Sequence, residues 1–365
     1  MLERSVSVEG VRVEWYRNKA YTCSRRGYQT FLVAYPEGVP PNRPLPLWIR
    51  LHGGGVGAYG PGGQYLPSRY CSGQGSPCYI DEESLETLGN YLRETGLVQS
   101  IREMGTSRFL VPSMCDHDLY MGLGIVDDPY NPNIDANGQR PRADGYLALR
   151  SALEFTRQRY ATTHIFAHGT SAGSVGALNL AAMLALEGTW ISGVIADSGA
   201  VSDLSPLLAQ AGCAAEYDPQ VVELAARKLG FVVAVDQLVR AGTVRTPIYN
   251  FFNTHDRVFA CQPVDQVTIT DPAGNSYRGS GMQLAYLRVN EALRASPLMA
   301  VSRIHEVCVG RDPQRGECFV HIPTIRASSQ VGGDRYRGGE DYNAVIVAWV
   351  RERLGDPRPP LATSP

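Results

Sequence analysis

A glycine-flanked serine constrains this chain more than any other feature. The sequence GTSAG at 169–173 directly follows a short apolar run at 164–168 and directly precedes small and apolar residues at 172–186. This context predicts a strand, a tight turn and a helix. A serine on such a turn has a strained backbone, and glycines at the flanking positions let neighbouring backbone approach closely. The helix N-terminus favours negative charge beside the hydroxyl. We therefore predict that Ser171 is a nucleophile, rather than part of a purely structural turn.

A second glycine-rich segment, HGGG at 52–55, follows the apolar run 46–51. A glycine-rich loop at this point can offer backbone N–H groups to an oxyanion that develops beside the nucleophile. We predict Gly54 as the main donor, with Gly53 adjacent to it and the N–H of Ala172 as the other donor. The histidine that opens the segment is expected to orient it. An ordinary glycine-rich loop is the alternative.

The general base is sought among the histidines that follow Ser171. These are His255, His305 and His321. A serine on a strand-to-helix turn of this kind is followed in the chain first by an acid and then by the histidine. His305 lies in an apolar run that predicts a strand, which indicates a structural role. His321 closely follows Cys318, where a disulfide could hold a base in place, and it is our predicted base.

Two aspartates are candidates for the acid of such a triad. Asp256 follows the apolar run 247–252, whereas Asp197 ends the preceding predicted strand. We favour Asp256, which would fix the tautomer of His321 and stabilise its charged form. Asp197 is the rival, as a variant acid or as part of a structural turn.

The periodicity along the chain, together with the serine turn and the glycine-rich segment, predicts an α/β-hydrolase fold. Two segments that alternate apolar and polar residues come first, and strand-like and helix-like segments then alternate. This order indicates a mostly parallel central sheet with helices on both faces. The predicted strands are 11–17, 28–35, 46–51, 109–112, 164–168, 190–197, 247–252 and 300–309, and the main predicted helices are 84–104, 144–160, 172–186, 281–295 and 341–354.

Composition and spacing indicate a single catalytic domain over 1–365. Hydrophobic residues make up 44% of the 365 residues, which is ample for one large core. We expect 116–142 and 203–241 to be loop or cap insertions and 355–365 to be a tail. The net charge of −2 gives no indication of a nucleic-acid partner. No apolar run is long enough to predict a membrane span.

The cysteines indicate an oxidising compartment. The chain has eight, and two close pairs, Cys71 with Cys78 and Cys308 with Cys318, flank polar loops rich in glycine or proline. Disulfides across these loops are favoured over a zinc site, for which the spacing is wrong, and over buried free thiols. Residues 1–5 do not have the pattern of a signal peptide, so a signal is not predicted in the sequence as it stands. A secreted or periplasmic protein is expected.

The loop 116–142 follows the predicted strand 109–112 and is expected to border the site. Asp116, His117 and Tyr120 could contact substrate there. Part of the loop fits a calcium-binding pattern, but a plain Asn-Gly turn is favoured, and no metal is expected for catalysis. The residues of that pattern are Asn133, Asp135, Asn137 and Asp144.

At these positions the chain resembles the pectin acetylesterase family, which includes the Notum-type carboxylesterases. The similar segments are the glycines at 53–55, RFLVPSMCDHD at 108–118, the serine turn at 169–174 and CFVH at 318–321. The resemblance implies a secreted, disulfide-bonded enzyme that removes acetyl or other acyl groups from esters without a metal or other cofactor. The family's tryptophan-cysteine after the glycines is replaced here by valine-glycine, and the acid segment is only loosely similar.

The sequence therefore predicts a serine carboxylic ester hydrolase that works through an acyl-enzyme. The expected substrate is a small-molecule or polysaccharide ester. An esterase for aromatic or polymeric esters is the main alternative, and a serine peptidase is a lesser one. A catalytically inactive binding protein of the same fold is the alternative from another functional class.

Overall fold

The computed structural model describes most of the chain. The described residues are 1–67, 81–105, 107–125, 128, 130–135, 138–199, 224, 227–228, 233–254, 256, 268–270, 276–278, 281–312, 316–318 and 320–356. Several predictions concern residues that lie outside these ranges, namely the pair Cys71 and Cys78, Asn137, His255 and most of the insertion 203–241.

A nine-stranded sheet, counted within the described residues, organises the molecule. Its strands are β1 Leu2–Val8, β2 Val11–Thr22, β3 Tyr28–Pro36, β4 Leu45–Leu51, β7 Arg108–Pro112, β8 Thr162–Thr170, β9 Gly193–Asp197, β10 Ile248–Asn253 and β13 Arg303–Val307. Short two-stranded pairs lie outside it, and their strands are β5 Gly57–Tyr59, β6 Tyr65–Pro67, β11 Thr268–Thr270, β12 Ser276–Arg278, β14 Arg311–Asp312 and β15 Gly316–Glu317.

The strand order in the large sheet is β1-β2-β3-β7-β4-β8-β9-β10-β13. The pairs from β1 through β3 to β7 are antiparallel, and every pair from β7 onward to β13 is parallel. The predicted α/β-hydrolase fold, with its mostly parallel central sheet, is confirmed. The carboxyl ends of β4, β8, β9 and β10 consequently meet at one edge of the sheet.

Helices cover both faces of the sheet. They are α1 Leu85–Asn90, α2 Leu97–Glu103, α3 Gly145–Arg159, α4 Ala172–Leu186, α5 Val235–Arg240, α6 Gly281–Arg294, α7 Ser328–Val331 and α8 Tyr342–Leu354. One hydrophobic cluster joins one face of the sheet to α3, α4, α5 and α6, and another joins the opposite face to α1, α2, α7 and α8. Strand β4 shows the alternation directly, since Leu47 and Ile49 lie in the first cluster and Trp48 lies in the second.

Two elements differ from the sequence-based prediction. The edge strand β1 was not predicted, because charged and exposed residues hide its alternation. The single helix expected over 84–104 is instead α1, a 3-10 turn at Tyr91–Arg93 and α2. The interruption ends at Gly96, where a Cβ atom would collide with the backbone oxygen of Thr324 and the backbone of Arg326. A tertiary contact therefore determines where α2 begins.

Two disulfides are present in the described part of the chain. Cys308 and Cys318 are bonded, as predicted. The second disulfide joins Cys23 to Cys115, which lie 92 residues apart and gave no local signal in the sequence. It ties the end of β2 to the loop after β7. Over the same described residues, the structure contains no helix that is both long enough and apolar enough to span a membrane.

Candidate active site

Ser171 lies on the turn between β8 and α4. Its φ of 53° and ψ of −119° place a non-glycine residue in a region that L-residues rarely adopt. Such a conformation costs on the order of 1–3 kcal/mol and persists only where the surroundings hold it. The backbone N–H of Ser171 donates to the carbonyl of Asp197 at 2.9 Å, and the Ser171 carbonyl accepts from the N–H of Ser174 at 2.9 Å.

The flanking glycines are required by close backbone contacts. A Cβ atom on Gly169 would collide with the carbonyl of Gly173, and one on Gly173 would collide with the carbonyl of Leu51. The turn is therefore packed directly on itself and on the end of β4. This packing holds Ser171 in its strained conformation.

The predicted oxyanion segment lies against this turn. A Cβ atom on Gly53 would lie 3.2 Å from Cβ of Ser171 and 3.3 Å from the carbonyl oxygen of Thr170. One on Gly54 would lie 2.8 Å from Cε of Met114, the end of a flexible side chain. Ala172 is the first residue of α4, where backbone N–H groups have no acceptor within the helix.

His52 is fixed by contacts on every side of its ring. Its Nδ1 lies 2.7 Å from the carbonyl of Gly53, and because a carbonyl only accepts, Nδ1 carries a proton. Its Nε2 lies 3.3 Å from Oε2 of Glu83, and both side chains are buried. The ring stacks on Tyr91 at 4.4 Å, and the N–H of His52 donates to the hydroxyl of Tyr120 at 3.3 Å.

The structure brings His321 and Asp256 together. Nδ1 of His321 lies 2.6 Å from Oδ2 of Asp256, and the side chains are only 15% and 7% exposed. Since a carboxylate accepts, Nδ1 is the donor, and this leaves Nε2 as the nitrogen able to accept a proton. This is the tautomer that a general base beside a serine requires.

The segment that carries His321 is anchored beside the serine turn. The N–H of Ile322 donates to Oγ of Ser198 at 3.1 Å, and the N–H of Thr324 donates to Oδ2 of Asp197 at 3.0 Å. Asp197 is also the residue whose carbonyl accepts the N–H of Ser171. The nucleophile turn and the histidine segment are therefore fastened to the same strand end.

Asn253 anchors the histidine segment from the side of β10. Its side-chain amide donates to the carbonyls of Val309 and Val320 at 2.9 and 3.0 Å, and its Oδ1 accepts from the N–H of Val309 at 3.2 Å. Sequence reasoning did not single out this residue. The only local signal was its place at the end of an apolar strand.

Asp197, the rival acid, is directed elsewhere. Its Oδ1 accepts from the hydroxyl of Ser198 at 2.7 Å and its Oδ2 from the hydroxyl of Thr324 at 2.5 Å. Complete burial raises the pKa of this carboxyl to about 6. The carboxylate that bonds to His321 is that of Asp256.

The residues predicted to contact substrate are buried. Asp116 accepts from Oγ of Ser24 at 3.1 Å, from Nε2 of Gln29 at 2.8 Å and from the N–H of Asp144 at 3.0 Å. Burial, together with the neighbouring Asp118, raises the pKa of Asp116. His117 and Tyr120 are 1% and 0% exposed. Substrate contact by these side chains stays a prediction.

The calcium pattern gains no support from the geometry. The side-chain amide of Asn133 donates to Oδ1 of Asn131 at 2.7 Å and to the hydroxyl of Tyr59 at 2.8 Å. Oδ1 of Asp135 accepts from the N–H of Gln139 at 2.9 Å. Among the described residues, no three His, Cys, Asp or Glu side chains are grouped in a way that could hold a metal ion. The plain turn stays the prediction for this loop, with calcium binding as its alternative.

Two solved structures are similar in shape to this chain. An S-formylglutathione hydrolase from Agrobacterium tumefaciens is 14% identical with a TM-score of 0.43, and the match covers 84% of this chain and 90% of that one. A thermostable esterase is 12% identical with a TM-score of 0.40, and the match covers 95% of this chain and 61% of that one. No family model and no curated protein matches the sequence. At these low identities and scores the two structures carry no argument about function, and the resemblance to the pectin acetylesterase family stays a prediction.

Proposed function

We propose that the protein is a serine carboxylic ester hydrolase with Ser171 as nucleophile, His321 as general base and Asp256 as the acid that orients the base. The observation that carries this proposal is the 2.6 Å contact between His321 and Asp256, on a segment fastened to the strand end that also holds Ser171. A strained serine, an oriented histidine and glycine backbone beside them are the parts that acyl transfer needs.

The reaction proceeds in two halves. Oγ of Ser171 attacks the ester carbonyl while Nε2 of His321 takes the hydroxyl proton, and backbone N–H groups of Gly53, Gly54 and Ala172 stabilise the oxyanion. The histidine then protonates the leaving alcohol as its C–O bond breaks, which yields the acyl-enzyme. A water molecule, deprotonated by the same histidine, attacks the acyl carbon. The acid is released, and the proton returns to Ser171.

The proposed substrates are acetyl or other acyl esters of carbohydrates, acted on outside the cytoplasm. The resemblance to the pectin acetylesterase family motivates this substrate class, and the two disulfides fit an oxidising compartment. Aromatic or polymeric esters are the alternative substrates, and a catalytically inactive binding protein is the alternative from another class.

The test compares hydrolysis of p-nitrophenyl acetate, butyrate and octanoate by the wild type, by Ser171→Ala and by Ser7→Ala. Ser7 is a matched control, because its exposed hydroxyl bonds to Glu37 on the far edge of the sheet. We expect Ser171→Ala to lose hydrolysis and fluorophosphonate labelling while Ser7→Ala keeps both. Preference for acetate would favour the acetylesterase assignment, and preference for octanoate would favour longer acyl groups. An inert, unlabelled wild type would make the binding protein the leading interpretation.

A further inference from the structure

Asp197 connects the two halves of the candidate site through both its backbone and its side chain. Its carbonyl accepts the N–H of Ser171 at 2.9 Å. Its Oδ2 accepts both the N–H and the hydroxyl of Thr324, at 3.0 and 2.5 Å. The residue is fully buried. One residue therefore contacts both the turn at Ser171 and the segment after His321.

Ser198 extends the same connection to the residue next to the base. It donates its hydroxyl to Oδ1 of Asp197 at 2.7 Å, and its oxygen accepts the N–H of Ile322 at 3.1 Å. Ile322 is in the left-handed region, with φ 49° and ψ 59°, which a β-branched residue adopts only when it is held there. Because Ile322 directly follows His321, this hydrogen bond helps determine the direction in which the histidine ring leaves the backbone.

The neighbouring strand completes the network. Since the hydroxyl of Thr324 donates to Asp197, it accepts from Nε2 of His168 at 3.0 Å. Burial and the nearby Arg50 lower the pKa of His168 well below its usual value, so the ring is neutral with its proton on Nε2. Each hydrogen bond in this network therefore has a fixed direction. His168 donates to Thr324, and the hydroxyls of Thr324 and Ser198 both donate to the carboxylate of Asp197.

We propose that Asp197 is a positioning residue for the general base, and that its carboxylate holds the His321 segment in register with Ser171. This inference rests on the proposed function, because it assigns a role within that reaction. Asp197 does not contact substrate or the reacting atoms. It acts through Thr324 and Ser198.

The charge of Asp197 links this role to pH. Burial raises the pKa of its carboxyl to about 6, while its hydrogen bonds and the charge of His321 oppose the rise. The other titratable groups that face it are Tyr286 of α6 and Tyr342 of α8. The carboxylate is ionised at neutral pH. As the pH falls through about 6, it becomes protonated and loses acceptor capacity toward Thr324 and Ser198.

The first experiment measures kcat and KM for p-nitrophenyl acetate above neutral pH in Asp197→Asn, Thr324→Val and the double variant. We expect kcat to fall about 10- to 100-fold in Asp197→Asn with little change in KM, because a displaced base slows the chemical step. Thr324→Val, which keeps the backbone N–H, should lose about 2- to 10-fold. The double variant should be no worse than Asp197→Asn, since both act through one connection.

Glu14→Gln is the matched control. Glu14 is also a buried carboxylate that accepts hydrogen bonds from hydroxyls, here those of Tyr16, Tyr35 and Tyr160, but it lies on β2, far across the sheet from Ser171. Its kcat should match that of the wild type. The pH profile gives a further readout. On the acid side of the profile, the fall in kcat should depend on two protonations in the wild type and on one in Asp197→Asn. A purely structural role would leave the slope of log kcat against pH the same in both.

Hydrogen exchange tests the connection without any need for activity. The amides of Ile322 and Thr324 should exchange faster in Asp197→Asn than in the wild type or in Glu14→Gln. The proposal is overturned if kcat of Asp197→Asn stays within about twofold of the wild type, or if these two amides keep their protection. An inert wild type with faster exchange in Asp197→Asn would instead refute the proposed function, while leaving the anchoring contact in place.

Discussion

At the scale of single residues, hydrogen-bond direction decides what each side chain of the site can do. His321 donates through Nδ1 to Asp256, whereas His52 donates through Nδ1 to the carbonyl of Gly53. The first arrangement leaves an accepting nitrogen for chemistry. The second leaves a nitrogen that faces the buried carboxylate of Glu83. The two imidazoles therefore differ in which nitrogen can accept a proton, because their acceptors differ.

Replacing Asp256 with asparagine should remove the base function without removing the ring. An amide at this position can donate to Nδ1, which moves the histidine proton to Nε2 and leaves no acceptor for the serine proton. We expect kcat for Asp256→Asn to fall by about 10³- to 10⁴-fold near neutral pH. The control is Asp356→Asn, an exposed aspartate that pairs with Arg353. A kcat within tenfold of the wild type, well short of the roughly 100-fold loss that is the least expected from losing general-base catalysis, would exclude Asp256 as the acid.

At the scale of elements, the histidine segment is fastened at several points along its length. The disulfide between Cys308 and Cys318 precedes it, the amide of Asn253 bonds to the carbonyl of Val320 within it, and Asp197 holds its far end. The Cys23–Cys115 disulfide, in contrast, closes a much longer stretch of chain and joins the end of β2 to the loop after β7. Its contribution belongs to the fold as a whole.

The two disulfides should differ in how much each contributes to stability and how much each contributes to activity. By loop-closure entropy, removing Cys23–Cys115, which closes 92 residues, should lower the free energy of unfolding by about 4–5 kcal/mol. Removing Cys308–Cys318, which closes 10, should lower it by about 3 kcal/mol. Urea unfolding of the two double-serine variants checks this order. The Cys308–Cys318 variant should lose more kcat than the Cys23–Cys115 variant under conditions where both are folded, and equal kcat losses would contradict this assignment.

At the scale of the whole molecule, buried titratable groups make stability depend on pH. Asp197 has a folded-state pKa of about 6, above its unfolded value. Its protonated form is therefore favoured by folding. The resulting stabilisation is fully present below about pH 4 and is lost as the pH rises through about 6. At neutral pH the carboxylate of Asp197 is ionised, which the proposed positioning of His321 requires, although folding favours the protonated form.

Asp197→Asn should accordingly gain stability relative to the wild type as the pH rises. Between about pH 4 and pH 7, the difference in free energy of unfolding should shift in favour of the variant by up to about 3 kcal/mol. Glu14→Gln should instead gain stability relative to the wild type as the pH falls below about 4.5, because hydrogen bonds from tyrosine hydroxyls outweigh burial and hold the pKa of Glu14 below its usual value. Urea unfolding at several pH values measures both. Parallel curves for Asp197→Asn and the wild type would contradict this account.

The features that could be predicted from the sequence are those encoded by residues that are adjacent in the chain. The turn at Ser171 was predictable because strand, glycines and helix are contiguous, and Asp256 and His321 followed from chain order. The partners of Asp197 were not predictable, because Thr324 is brought to it only by folding. The break before α2 was missed for the same reason, since Gly96 meets the backbone at 324–326 only in the folded chain. Tertiary contacts without a local pattern account for both omissions.

The distance along the chain between nucleophile and base also has a consequence during synthesis. Roughly 150 residues separate Ser171 from His321 in the chain. At a synthesis rate of about 5–20 residues per second, Ser171 therefore emerges roughly 8–30 s before His321. A serine hydroxyl without an adjacent base is a weak nucleophile. If Ser171 and His321 act as proposed, ester cleavage cannot begin until the last strand of the sheet and the segment beyond it have docked.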